Sequence, residues 1–112
     1  MTDLDMISDA QWLVLDLLAA AQRAGYPYVL RHQILESSKL PAGAKIQLTM
    51  AALLIPSELM RIENEHEFHL TEQGSAALAL RFGQRQGEMM HGPTGIDPHE
   101  VLDLPEIGAK PN

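Results

Sequence analysis

The chain has 112 residues, 46% of them hydrophobic and only 4% aromatic, with a formal net charge of −7 and no cysteine. That length holds one domain around one core, and the apolar share excludes a disordered chain. The missing cysteine excludes disulfides, thiolate metal sites and a cysteine nucleophile. No apolar run reaches the ~18 residues of a membrane helix. Met1–Asp9 holds three Asp and no Lys or Arg, unlike a secretory signal. The expected setting is cytoplasmic, without a membrane partner.

Ser8 or Asp9 is a suitable N-cap, and the spacing predicts a helix from there to about Ala24, closed by Gly25. Asp9, Asp16 and Arg23 recur at spacing seven and form one narrow polar stripe. The rest of that helix is so apolar that it must be covered on more than one side. The cover is either a second subunit or another segment of the chain. The first option predicts a homodimer whose seam includes this helix and the helix after Thr71.

Tyr26–Leu30 reads as short and extended, because Pro27 biases its predecessor away from helix. Arg31–Ser38 reads as a short helix with Ile34 and Leu35 inward, and Leu40–Gly43 as a turn. A third helix is expected over Ala44–Ile55, ended by Pro56. Leu59–Asn64 and Glu67–Leu70 alternate, with Met60, Ile62, Phe68 and Leu70 on the inner side. With a tight turn at Asn64-Glu65-His66 they predict a two-stranded hairpin over residues 58–70. Thr71 caps a following helix, with Glu72 at the positive end of its dipole. From His91 onward, Gly, Pro and acidic residues predict an extended or partly disordered arm, so the chain divides into a domain at 8–90 and an acidic Pro/Gly-rich tail at 91–112.

The expected fold class is therefore α+β, mostly helical. Two short helices around a Gly-containing turn, followed at once by a hairpin, are a winged helix-turn-helix arrangement with a two-stranded wing. The segment Phe68-His69-Leu70-Thr71-Glu72-Gln73-Gly74 resembles the L-T-x-x-G junction of MarR- and PadR-type winged-helix regulators. The resemblance covers about residues 8–83. It implies a DNA-binding transcriptional regulator that works as a dimer on double-stranded DNA. It also implies that the third helix enters the major groove, with Lys45, Gln47 and Thr49 as candidate groove contacts. Arg31, Lys39 and Arg61 become candidate phosphate contacts.

Charge complicates that expectation, since affinity for DNA rests on Lys and Arg neutralising phosphates. The chain has eight such residues in all. Only the middle is mildly basic, where Arg31, Lys39, Lys45 and Arg61 outnumber Glu36 and Glu58. The wing carries Glu63, Glu65 and Glu67, and the third helix has few polar residues and no Arg. The competing expectation is a winged-helix adaptor that binds protein through the third helix or the tail.

Other chemistry has little support in the sequence. His66 and His69, three apart on a hairpin, point to opposite faces and make a poor metal pair. There is no Gly-rich phosphate loop, nucleophile elbow or framed carboxylate pair. No enzyme activity, cofactor or metal is expected.

Overall fold

The computed structural model describes residues 6–85 and 97–104. Its elements are α1 (Asp9–Arg23), β1 (Val29–Leu30), α2 (Arg31–Leu35), α3 (Ala42–Leu53), β2 (Met60–Glu63), β3 (Glu67–Leu70), α4 (Glu72–Arg85) and α5 (Pro98–Val101). The chain is thus a small α+β protein, mostly helical, with one antiparallel sheet in the order β1-β3-β2.

Local chemistry accounts for the boundaries of α1. Ser8 Oγ accepts the Gln11 N–H at 3.2 Å, and the Gln11 side chain accepts the Ser8 N–H at 2.8 Å, a reciprocal capping box. At the other end Gly25 takes φ 104°, a left-handed conformation that costs glycine little. The Tyr26 N–H then bonds back to the Ala21 carbonyl at 2.8 Å. Arg23 in the last turn suits the negative end of the dipole.

α1 is the central element, packed against α3, α4, β3 and α5. Trp12, Val14, Leu15, Leu17, Leu18 and Ala21 are all buried in the common core with Val29, Ile34, Leu48, Ala52, Leu59, Met60, Phe68 and Leu102. Arg81 of α4 lies over the Trp12 ring, 4.8 Å from its centroid. Most of the apolar circumference of α1 is therefore covered by the chain itself, while Leu13 remains 43% exposed.

The hairpin forms where expected, with Met60 opposite Leu70, Ile62 opposite Phe68 and Glu63 opposite Glu67. Asn64 and Glu65 in its turn have φ 53° and 69°, and a short polar side chain such as that of Asn64 tolerates this conformation. The sheet has three strands, however, and not two. Val29 pairs with Phe68 and Leu30 with Glu67, so β1 adds to the free edge of β3. That pairing covers an edge that a lone hairpin would leave open. Ile62, expected inward, lies on the outer strand and is exposed, as is Leu35, also expected inward, at the end of α2.

The Leu70-Thr71-Glu72-Gln73-Gly74 motif has a clear physical role. Thr71 Oγ1 accepts the Gly74 N–H at 2.9 Å and so caps α4. The Thr71 hydroxyl donates to the Glu58 carbonyl, and the Thr71 N–H to the Leu59 carbonyl at 3.1 Å. Gly74 is buried where the first turn of α4 meets the Leu59 backbone. The motif thus joins the capped helix to the chain entering β2.

The expected tail is corrected over its described part. Asp97 caps α5 through the His99 N–H at 2.9 Å, with Pro98 in the first turn. Residues 97–104 return to the domain, and Leu102 is fully buried in its core. The Ser37 hydroxyl donates to the Val101 carbonyl, while the Ser38 N–H and hydroxyl donate to Asp103 at 2.7 and 2.8 Å. Tyr26 Oη lies 3.0 Å from His99 Nε2. The expectations for residues 91–96 and 105–112 lie outside the described residues.

Candidate interaction surface

α3 is the element on which the two functional readings differ. Leu48, Thr49 and Ala52 face the core, and Lys45 is half-buried at their margin. The opposite face carries Gly43, Ile46, Gln47, Met50, Leu53 and, just past the helix, Leu54. Its large side chains are well exposed: Ile46 56%, Met50 60%, Leu53 49% and Leu54 75%. Spacings of three and four residues place them on one stripe. No charged residue interrupts it, since Lys45 is the only charge in α3.

The six candidate DNA contacts fare unequally. Thr49 is corrected: it is 6% exposed and points into the core, so it cannot touch a groove. The 3.6-residue period puts it on the same side as Leu48 and Ala52. Lys39 donates to the carbonyl of His99 and, at 3.5 Å, of Leu102, with Asp103 3.8 Å away. It is engaged by the α5 segment. Arg61 pairs with Glu63 on the same strand. Arg31 is half-buried at the start of α2, where its N–H donates to the His66 carbonyl at 2.8 Å. Gln47 is exposed beside the apolar stripe. These residues do not converge into one basic face, because the α5 segment and the acidic hairpin engage two of the cations.

Electrostatics at both ends reinforce this arrangement. Hydrogen bonds from the Ser38 N–H and hydroxyl, with Lys39 and Lys45 nearby, hold the Asp103 carboxyl below its ordinary range. On the hairpin, the hydrogen bond from His69, opposed by desolvation, holds the Glu67 carboxyl below its ordinary range. Both are ionised at neutral pH, so negative charge flanks the region where a phosphate would have to approach.

Sequence periodicity could have identified the stripe. Ile46, Met50, Leu53 and Leu54 show the same spacing as a core-facing face, and only the fold reveals that Leu48 and Ala52 form the buried side. The anchoring of Lys39 was not legible, because its partners lie about sixty residues away in sequence.

Thr49 Oγ1 has no hydrogen-bond partner among the described residues. An unpaired buried hydroxyl costs about 1–3 kcal/mol. Thr49→Val keeps the shape and removes the polar atom, so it is expected to stabilise the fold by about 1 kcal/mol. Urea unfolding checks this, and a loss of stability would show that the hydroxyl is satisfied in solution.

No protein-family model matches the chain, and no curated protein or solved structure matches it either.

Proposed function

We propose that this chain is a winged-helix protein-interaction module that docks through α3, with a second copy of itself as the occupant of that face. One observation carries the reading: the uninterrupted exposed stripe of Ile46, Met50, Leu53 and Leu54. Exposed apolar residues scattered singly need no explanation, but a contiguous row on one helix is a docking surface. In a two-fold pair the same patch meets itself, so a charged patch would oppose its own copy. This one is uncharged, whereas the chain as a whole carries −7 and repels its copies elsewhere. Gly43, with open space around its Cβ position, lets the partner helix approach closely at the start of the stripe.

The DNA-binding alternative rests on the L-T-x-x-G motif and the order of the elements. Against it stand the buried Thr49, the engaged Lys39 and Arg61, and the apolar outer face of α3. Without several free cations there is little counterion release to drive binding.

Sedimentation velocity across the micromolar range separates the two readings. The wild type is expected to form dimers. Met50→Asp and Leu54→Asp, both at exposed positions, should weaken association at least tenfold, the effect of about 1.4 kcal/mol, without changing the circular dichroism. A chain that stays monomeric throughout, or that shifts duplex DNA at low salt in a Lys45-dependent way, overturns the reading.

A further inference from the structure

The outer face of the sheet carries a second group of side chains that the docking reading does not use. On β3, Glu67 and His69 are two residues apart and share one face. Glu63 lies directly across from Glu67, and Arg61 across from His69. His69 Nε2 is 3.1 Å from Glu67 Oε1 and 3.9 Å from Glu63 Oε1. The three donor atoms all lie within 4.8 Å of one another, and all three residues are half-buried. The sequence suggested only His66 as a partner for His69; pairing across the hairpin supplies the two carboxylates instead.

We propose that this face is a binding site for a borderline divalent transition-metal ion such as Zn2+, with Glu63, Glu67 and His69 as its protein ligands and water completing the shell. Zinc takes nitrogen and carboxylate oxygen at about 2.0–2.2 Å in tetrahedral sites, which puts its donors roughly 3.3–3.5 Å apart. Two of the observed separations bracket that spacing, so small side-chain rotations close the triangle and no backbone movement is required.

The donor set selects the class of metal. One imidazole and two carboxylates suit zinc and its first-row neighbours. Calcium and magnesium prefer all-oxygen shells of six or more ligands, which this face does not supply. Copper(I) prefers thiolate, and the chain has no cysteine.

The surroundings orient the ligands. Arg61 bonds Glu63 through Oε2 and leaves Oε1 turned toward His69. Tyr28 packs against the His69 ring, with centroids 5.0 Å apart and planes at 43°. Outer-shell partners of this kind fix the rotamers of ligating groups. The two strands that carry the ligands are paired along four residues, so the donors stand on a preformed frame.

Isothermal titration of the full chain with zinc chloride, in a buffer that does not chelate, tests the site. One ion per chain is expected. His69→Ala, Glu67→Gln and Glu63→Gln should each weaken binding by tenfold or more. Arg61→Ala should weaken it by about tenfold through its hold on Glu63. His66→Ala and Glu65→Gln, on the same hairpin but outside the triangle, should leave affinity unchanged. In NMR spectra, zinc should move the His69 imidazole signals and not those of His66. Absence of binding, binding that survives His69→Ala, or equal losses in the His66 and His69 variants overturns the proposal. Circular dichroism of each variant shows whether the hairpin is intact. The sedimentation outcome at α3 has no bearing on this result.

Discussion

Gly74→Ala is expected to destabilise the protein by about 3 kcal/mol or more, against the direction that helix propensity alone would give. In an exposed helix interior, alanine is better than glycine by up to about 1 kcal/mol. At Gly74 a Cβ would stand 2.1 Å from the Leu59 carbonyl oxygen, 2.8 Å from Leu70 Cδ1 and 3.0 Å from the Leu59 carbonyl carbon. The carbonyl cannot step aside, because it accepts the Thr71 N–H and belongs to a buried residue at the entry to β2. α4 would have to lift from β2, breaking the Thr71 cap and the contacts of Ala77 and Leu78 with the core. A fall in melting temperature of more than about 10 °C is expected for a domain of this size. Gly43→Ala is the matched control: nothing lies within 4 Å of its added Cβ, so it should be neutral or stabilising by a few tenths of a kcal/mol. Equal effects at both glycines would show that the contact at Leu59 does not govern the packing of α4.

Leu102→Ala is expected to cost about 2–5 kcal/mol, the range for truncating a fully buried leucine. Leu102 lies outside the compact order of helices and strands that the first 85 residues form, so the size of this loss measures how far the α5 segment belongs to the core. The segment is held by more than one side chain. Ser37 bonds the Val101 carbonyl, Ser38 bonds Asp103 twice, and Lys39 bonds the His99 carbonyl. Those bonds are mostly at the surface and contribute less each than the burial of Leu102. Asp103→Asn, which keeps most of the geometry, should therefore cost clearly less than Leu102→Ala. Chemical denaturation of both variants checks the ranking. A neutral Leu102→Ala would mean that the segment rests on the domain without contributing to its core.

Much of the fold was legible in local signals. Ser8 and Gln11 mark the start of α1, Gly25 its end, and alternation at Met60–Glu63 and Glu67–Leu70 the hairpin. Thr71 and Glu72 mark α4, whereas the packing of Gly74 on Leu59 appears only in the fold. Misjudgements arose where a residue's fate depended on a distant segment. Tyr26–Leu30 reads as extended, yet nothing near it in sequence specifies its pairing with β3. From His91 onward Gly and Pro favour an arm over the short capped helix that Asp97 and Pro98 begin.

The candidate site divides along the same line. The sequence alone determined that the third helix has little charge, that the hairpin is acidic, and that cations are few; these follow from composition and position. Only the tertiary structure decided that Thr49 faces inward and Ile46, Met50, Leu53 and Leu54 outward, since two sides of an apolar helix look alike until one is packed. It alone brought Asp103 to Ser38 and Lys39, and Glu63 to Glu67 and His69. Local periodicity and capping act over three or four residues and can be read along the chain. Burial, pairing and charge neutralisation are decided by which surfaces meet, and here those surfaces belong to residues as far as 73 apart.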